Sequence, residues 1–259
     1  MLMNREIMEC ESEYTKCFSE FYENESIIRY RDNQLLDMYY HNYTHIKSPM
    51  NELELKDIIQ AEILLRLSEK SSFCNITLHS SVDNIQLSAL KCKPEISVNG
   101  YYAFDTSNFT RLNAVSDLIV KRVDNQEMID DILFSDLQFD EKTLGEDFCT
   151  RRCYRRGKVY VSDNGVNCYV CYLNGNIVGN CDLFINNGVA KIEDFSVIPK
   201  YQRKGYGTTI LKHLIDISIK ENCHTIYLVT DEDGTAKEMY EKIGFHKIGE
   251  RRDLFFKLQ

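Results

Sequence analysis

The sequence "VIPKYQRKGYGTTIL", residues 197–211, places two glycines between a short apolar run and an amphipathic helical pattern. A strand, a glycine-bearing turn and a helix start together form an anion site, because the first-turn N–H groups are unpaired and the helix dipole adds partial positive charge. Gly205 and Gly207 leave no side chain between those N–H groups and an approaching oxygen. The stretch therefore predicts a phosphate-binding turn.

The glycine spacing disfavours two common nucleotide motifs. A P-loop needs a Gly-Lys pair followed by Ser or Thr, and "QRKGYGTT" lacks that order. A dinucleotide fingerprint needs a third glycine three residues after the second, and Ile210 stands at that position. The Gly-x-Gly turn alone therefore names no ligand.

The second half of the chain reads as alternating strands and helices around this turn. The Asn-Gly pairs at 174–175 and 187–188 predict two hairpins in a run of strands. In chain order, the predicted elements are a strand (117–124), helices at "NQEMIDDILFSDL" and "GEDFCTRRCYRRG", the run of strands, a helix (205–220), a strand (225–230), the helix "GTAKEMYEKI" and a last strand pair.

The first half has a weaker version of the same order. Its predicted elements are helices at about 8–23 and 52–69, a strand at 73–80, the helical stretch "VDNIQLSALK", and "ISVNGYYAFD" as a hairpin or edge strand. A shift of 150 residues aligns these elements with the end of the chain, which indicates an internal repeat. The polar, turn-rich stretch 106–116 predicts a boundary between domains 1–110 and 111–259.

The pattern Gln-x-x-Gly-x-Gly at 202–207, preceded by "FSVIPKY" and followed by "AKEMYEKIGF", resembles the GNAT acetyltransferase superfamily over roughly residues 117–259. The resemblance implies an α/β (α+β) fold with a mixed, mostly antiparallel sheet flanked by helices. With the repeat, it implies two GNAT-like units in tandem. The first unit looks degenerate, because it has no Gly-x-Gly turn and Leu90 stands at the position of the family's tyrosine.

The resemblance also implies acetyl-CoA as the acyl donor. The turn would hold its pyrophosphate, and a wedge between "EDFSV" and "TIYLVT" would admit the pantetheine arm along a bulged strand. Asp233 stands where many members carry asparagine. The implied coenzyme-binding residues are Phe195, Ser196, Val197, Gln202, Arg203, Lys204, Gly205, Tyr206, Gly207, Thr208 and Asp233.

Acetyl transfer to an amine needs a proton for the departing thiolate and a group that takes a proton from the amine. Tyr240, in "MYEKIGF", matches the family's general acid. Glu193 is the candidate base, because strand alternation places only one of Glu193 and Asp194 in the cleft and groups Glu193 with Phe195 and Val197. A structural ion pair is the alternative role for Glu193. Lys191 stands where histone-type members carry glutamate, which argues against a histone-type substrate.

Composition restricts the partners. The net charge of -9 argues against nucleic acid and against an anionic membrane, since both reward clusters of Lys and Arg. The first residues do not read as a signal peptide, so we expect a cytoplasmic protein with its ten cysteines reduced. The cysteine and histidine spacings favour no metal site.

The sequence thus predicts a GNAT-type N-acetyltransferase, monomeric or homodimeric, whose partners are acetyl-CoA and an amine acceptor. Two other functions stay open. The chain could be a non-catalytic acyl-CoA sensor or interaction protein, or its acidic first half could be a protein-binding module that presents the transferase to a partner. Nothing in the turn identifies the acceptor.

Overall fold

The computed structural model describes residues 4–79, 92–162 and 165–258. The strands are β1 (Glu20–Glu23), β2 (Ile27–Arg31), β3 (Thr44–Ile46), β4 (Phe73–Leu78), β5 (Glu95–Phe104), β6 (Leu118–Arg122), β7 (Val166–Leu173), β8 (Asn176–Asn186), β9 (Val189–Val197), β10 (Thr225–Asp231) and β11 (Phe245–Lys257). The helices are α1 (Arg5–Lys16), α2 (Glu52–Ser68), α3 (Gln126–Leu144), α4 (Glu146–Tyr160), α5 (Tyr206–Lys220) and α6 (Ala236–Lys242).

All strands of the described residues join one sheet in the order β1-β2-β3-β4-β11-β5-β10-β9-β8-β7-β6. Only the pairs β3–β4 and β9–β10 are parallel in this part of the chain. Helices α1, α3 and α4 pack on one face of the sheet, while α5 packs on the other face and α2 covers the β4 end. The predicted mixed, mostly antiparallel sheet flanked by helices is confirmed.

Strands β5 and β11 are exchanged between the two halves of the chain. β5 comes from the first half but lies between β10 and β11, and β11 comes from the second half but pairs with β4. The registers repeat with the predicted shift of 150 residues, because Leu228 faces Tyr102 and Leu78 faces Arg252. The two halves are therefore related by an internal two-fold pattern in the sheet.

This exchange corrects two sequence predictions. The stretch "ISVNGYYAFD" is neither a hairpin nor an edge strand, since β5 has a partner on each side. The predicted last strand pair is the single strand β11, with one register shift between Lys247 and Gly249. In both cases the pairing partner lies in the other half of the chain, where local sequence patterns give no information about it.

The two predicted hairpins are confirmed. Asn174 and Gly175 connect β7 to β8, and Asn187 and Gly188 connect β8 to β9. All four residues have φ between 48° and 78°. Positive φ at both turn residues is the type I′ arrangement that matches the right-handed twist of the strands.

Some predicted bounds differ from the structure. The first helix ends at Lys16 instead of continuing to residue 23, because residues 20–23 pair with β2. The predicted helix "VDNIQLSALK" and Leu90 lie outside the described residues. The division into domains 1–110 and 111–259 stays a prediction, and the sheet runs across it. In the described ranges, no helix is long and apolar enough to cross a membrane.

Candidate active site

Strand β9 carries a bulge at its centre. Asn180 on β8 faces Ser196 on β9, and Asp182 faces Glu193. The pairing register between the two strands shifts between these two pairs, because β9 has one residue more than β8 there. Asp194 lies in the bulge with φ of 51°, in the left-handed region that costs an L-residue about 1–2 kcal/mol. This backbone turns the end of β9 away from the regular pleat.

A wedge opens beside the bulge. The parallel pairing of β9 and β10 runs from Val189–Thr225 to Ile192–Leu228 and ends there. Further along, Thr230 and Asp231 pair with β5 on the other side of β10. The backbone of residues 195–197 therefore has β8 on one side and the opening towards β10 on the other. Such an opening can receive an extended chain as an added strand.

The glycine turn lies at the end of this wedge. Gly205 has φ of 82° and caps α5 without a side-chain hydrogen bond. The first intrahelical bond of α5 runs from Thr209 N to Gly205 O (3.1 Å), so the amides of the preceding residues 206–208 have no helical acceptor. A Cβ on Gly207 would lie 3.0 Å from Phe195 Cζ, which shows how closely the turn approaches the end of β9.

The polar side chains of the turn are exposed. Arg203 and Lys204 both point towards solvent, with the Lys204 ammonium 5.8 Å from the centre of the Tyr201 ring. Gln202 is also exposed, and its Nε2 donates to the carbonyl of Val197 at 3.0 Å, which ties the turn to β9. Positive charge and free backbone amides therefore meet at the mouth of the wedge.

Tyr240 lies on α6, across the wedge from β9. Its side chain is 7% exposed and packs edge-on against Phe195 and Phe245, with ring centres 6.3 and 5.9 Å apart. Burial raises the pKa of Tyr240 well above its ordinary value, and the neighbouring Cys181 and Glu193 add to the rise. The phenol is therefore protonated at neutral pH and able to donate.

Glu193 and Asp194 both line the same cavity, which corrects the prediction that only one of them faces the cleft. The reason is the positive φ of Asp194, which breaks the strand alternation on which the prediction rested. Glu193 pairs with Lys191 Nζ at 2.8 Å, and Lys191 also binds Glu11 on α1. Burial alone would lower the pKa of Lys191. The two carboxylates raise it by more than burial lowers it, so the pKa of Lys191 is above its usual value.

Arg156 on α4 holds the bulge in place. It is 6% exposed, binds Asp194 in the bulge and also binds the fully buried Asp182 on β8 at 2.7 Å. Tyr160 donates a further hydrogen bond to Asp182 at 3.1 Å. A left-handed residue inside a strand is thus fixed by an ion pair that reaches from a helix on the sheet face.

The cavity that contains these groups has a volume of about 420 Å³. It extends from β9 and α6 across the sheet to β4, so both halves of the chain form its wall. The sequence analysis did not predict the wall residues from the first half and from β11, because no local sequence pattern identifies them as part of a site. Among them are Glu11, Tyr14, Tyr40, His41, Tyr43, Asn75, Asn99 and Arg251.

Two other sequence predictions concern this region. Asp233 is exposed in the loop after β10, where its N–H donates to Asp231 Oδ1 at 2.9 Å, and it is not part of the cavity wall. All ten cysteines are free thiols. Among the described residues, no group of three or more His, Cys, Asp or Glu side chains has the arrangement of a metal site.

Comparison with known proteins agrees with this geometry. The family model described as "Acetyltransferase (GNAT) family" matches residues 128–245. This segment is a GNAT acetyltransferase domain. It contains the bulged strand β9, the glycine turn and Tyr240.

A curated relative of this chain is the uncharacterized N-acetyltransferase CgeE of Bacillus subtilis (strain 168). It is 30% identical over 113 residues, which cover 42% of this chain and 44% of the relative. The chain thus spans about half the length of the curated relatives it matches. The likeness covers less than half of either protein.

Two solved structures share the fold along nearly the whole chain. A functionally unknown conserved protein from Staphylococcus epidermidis ATCC 12228 has a TM-score of 0.78 and 19% identity, covering 93% of this chain and 95% of the other. A tandem GNAT protein from the clavulanic acid biosynthesis pathway has a TM-score of 0.57 and 10% identity, covering 96% and 94%. The prediction of a GNAT fold is confirmed.

GNAT acetyltransferases use acetyl-CoA, and the residues of this GNAT domain fit such a ligand. A Cβ on Gly207 would meet Phe195 at 3.0 Å, so the glycine keeps the space between the turn and the strand clear. The free amides of the α5 first turn suit a pyrophosphate, and the unpaired side of β9 suits an amide-bearing arm.

Proposed function

We propose that the chain is an acetyl-CoA-dependent N-acetyltransferase that transfers an acetyl group directly to a primary amine. The observation that carries this proposal is that Tyr240 and Glu193 line one cavity at the point where β9 and β10 separate. On this proposal, Tyr240 is the proton donor and Glu193 is the proton acceptor at the inner end of the coenzyme wedge. Direct transfer needs both groups at one place.

The proposed chemistry assigns one role to each group. Acetyl-CoA supplies the acetyl thioester. The amine nitrogen forms a bond to the acetyl carbon while the carbon–sulfur bond breaks. The ammonium group loses two protons. One passes through Glu193 to solvent. The other returns the phenolate of Tyr240 to the phenol after Tyr240 has given its own proton to the thiolate. The buried, protonated phenol of Tyr240 supports its part.

The same proposal assigns coenzyme binding to the turn and to the end of β9. Residues 202–208 would hold the pyrophosphate through the amides of Gly205 to Thr208 and the side chains of Gln202, Arg203 and Lys204. The backbone of Phe195, Ser196 and Val197 would pair with the pantetheine arm. Asp233 would border the coenzyme from the loop after β10.

The test is a free-thiol release assay with the purified full chain, acetyl-CoA and a panel of primary amines. We expect amine-dependent thiol release together with an acetylated product of matching mass. Thiol release that no amine increases, measured while acetyl-CoA still binds by calorimetry, would overturn the proposed transfer and leave coenzyme binding intact.

A non-catalytic acyl-CoA-binding protein is the second candidate. The ion pair of Glu193 with Lys191 at 2.8 Å favours it, because the ammonium group of Lys191 already occupies the carboxylate that would have to receive the proton of the amine. The two candidates differ in turnover but not in coenzyme affinity. The same assay therefore separates them.

A further inference from the structure

Helix α2 exposes leucines on the side that faces away from the sheet. Leu53 and Leu64 are 67% and 66% exposed, and Leu67 is 43% exposed. Since successive helical residues are about 100° apart, the three side chains lie within an arc of about 60°. They form one apolar face of the helix, whereas leucines that are exposed singly are an ordinary feature of protein surfaces.

The face of α2 that packs on the sheet is partly charged. Leu55 and Ile59 belong to an apolar cluster with β4 and β11. Glu62 and Arg66 lie on the same side of the helix, are each 2% exposed, and are both held in ion pairs. The helix therefore buries two charged residues while it exposes three leucines. A helix with apolar residues on its outer face as well as on its inner face is typical of one that is covered from both sides.

The exposed leucines belong to a regular stripe along α2. This leucine stripe consists of Leu53, Asp57, Gln60, Leu64 and Leu67, which are all exposed and follow one another at alternating intervals of four and three residues. The same intervals separate the positions by which one helix packs lengthwise against another. The leucine stripe is apolar towards both ends and polar at its centre.

The leucine stripe is complementary to itself when two copies pack antiparallel. In the successive layers of such a helix pair, Leu53 lies opposite Leu64 of the second copy, and Asp57 lies opposite Gln60. The Gln60 amide can donate to the Asp57 carboxylate, so the polar centre is satisfied. A two-fold axis generates each of these contacts twice. A parallel pair would instead place Asp57 against Asp57, where two like charges repel each other.

The charges at the ends of α2 also favour the antiparallel arrangement. The first turn of α2 carries Glu54, and the exposed Lys70 directly follows the C-cap of the helix. In the antiparallel pair the acidic start of each helix lies towards the basic end of the other, and the two helix dipoles point in opposite directions. Both the apolar pattern and the charge pattern therefore fit a second copy of the same helix.

We propose that α2 is the interface of a homodimer, in which the leucine stripes of two copies pack antiparallel about a two-fold axis. The interface would lie at the β4 end of the sheet, whereas the coenzyme wedge lies between β9 and β10. Strands β11 and β5 separate the two regions. Assembly of the dimer is therefore independent of the proposed acetyl transfer.

Sedimentation equilibrium of the full chain over about 1–200 μM tests the interface. We expect the mass to rise from that of one chain to that of two within this range, because three leucines per copy make a small contact. Leu64→Glu should raise the dissociation constant about 100-fold or more, since each dimer loses two leucine contacts and gains two carboxylates without partners. Phe134→Glu makes a similar change at an exposed residue of α3, so it is the control that should keep the wild-type constant.

A double variant should shift the same equilibrium in the other direction. Asp57→Leu combined with Gln60→Leu makes the leucine stripe apolar along its whole length, so the dissociation constant should fall about tenfold or more. Circular dichroism checks that each variant keeps its helices. If Leu64→Glu does not fold, the double variant and the crosslinks described next still decide.

Cysteine crosslinking tests the orientation of the two helices. An equal mixture of Leu53→Cys and Leu64→Cys chains should form a disulfide-linked dimer on mild oxidation. Neither variant alone should crosslink above the level of the wild type, which is the control for the native cysteines. Crosslinking of either variant with itself would show a parallel pair and overturn the antiparallel arrangement.

Two results would overturn the interface itself. One is a chain that stays monomeric up to about 200 μM. The other is a dimer whose dissociation constant is the same in the wild type, in Leu64→Glu and in the double variant, because such a dimer uses another surface.

Discussion

Tyr240 shows how burial suits a single residue to the role that we propose for it. In water a phenol titrates near pH 10, and burial of the ring, with smaller contributions from Cys181 and Glu193, raises the pKa of Tyr240 further. A group with a raised pKa keeps its proton at every pH below that value. The phenol is therefore protonated at neutral pH, as the proposed role of proton donor requires.

Replacement of this hydroxyl tests its part in turnover. Tyr240→Phe should lower kcat by about 10²–10⁴-fold, the usual contribution of a positioned acid, and should leave acetyl-CoA affinity within about threefold. Thiol release gives kcat and calorimetry gives the affinity. Tyr154→Phe is the matched control, because that hydroxyl is exposed on α4 and bonds only to Asp130 at 3.2 Å. An unchanged kcat in Tyr240→Phe would remove the residue from the mechanism.

The pH profile follows from the same shift. Deprotonation of Tyr240 would abolish the proton donor, and its raised pKa places that loss above pH 10. The kcat of the wild type should therefore stay level up to pH 10 at saturating substrates. A decline near pH 9 that is absent from a less active Tyr240→Phe variant would contradict this assignment.

Gly205 tests the coenzyme turn. Its φ of 82° strains any L-residue, and a Cβ there would lie 3.2 Å from Val115 Cγ2. Gly175, in the β7–β8 hairpin, has a similar φ of 78° and open space around it. Both alanine variants should lose about 1–2 kcal/mol of unfolding free energy. Only Gly205→Ala should weaken acetyl-CoA binding, by tenfold or more on calorimetry, and equal affinities in the two variants would contradict the phosphate assignment.

At the scale of an element, the bulge of β9 depends on one unusual backbone conformation. Asparagine tolerates the left-handed region, whereas a β-branched residue does not. Both Asp194→Asn and Asp194→Val remove the charge that binds Arg156, so the pair of variants separates backbone from charge.

We expect Asp194→Val to bind acetyl-CoA about tenfold more weakly than Asp194→Asn and to be less stable by about 1–2 kcal/mol, since valine at φ of 51° forces the strand to straighten. Calorimetry and urea unfolding measure the two effects. Equal coenzyme affinities would show that the bulge does not shape the wedge.

Elements with local signals were predictable from the sequence, and elements defined by distant partners were not. The Asn-Gly hairpins and the start of α5 follow from glycine and turn chemistry at adjacent residues. The position of β5 and the wall residue Asn75 depend on pairing across the two halves. Glu193 and Asp194 both line the cavity because of the positive φ of Asp194, which strand alternation does not predict.

At the scale of the whole molecule, the strand exchange couples the two halves. Removal of residues 1–110 would take β5 out from between β10 and β11, so it would break the second half instead of isolating a domain. A deletion therefore cannot test whether the first half is a separate binding module. Point variants in the full chain are the informative choice.

We expect the full chain to unfold in urea in one cooperative transition. Ile76→Ala on β4 and Leu183→Ala on β8 each remove a fully buried side chain, one from each half, and each should lower the unfolding free energy by about 2–5 kcal/mol. Because the exchanged strands join both cores, both variants should shift the same midpoint, whether circular dichroism or tyrosine fluorescence is followed. Two separate transitions, each moved by only one variant, would show that the halves are independent despite the shared sheet.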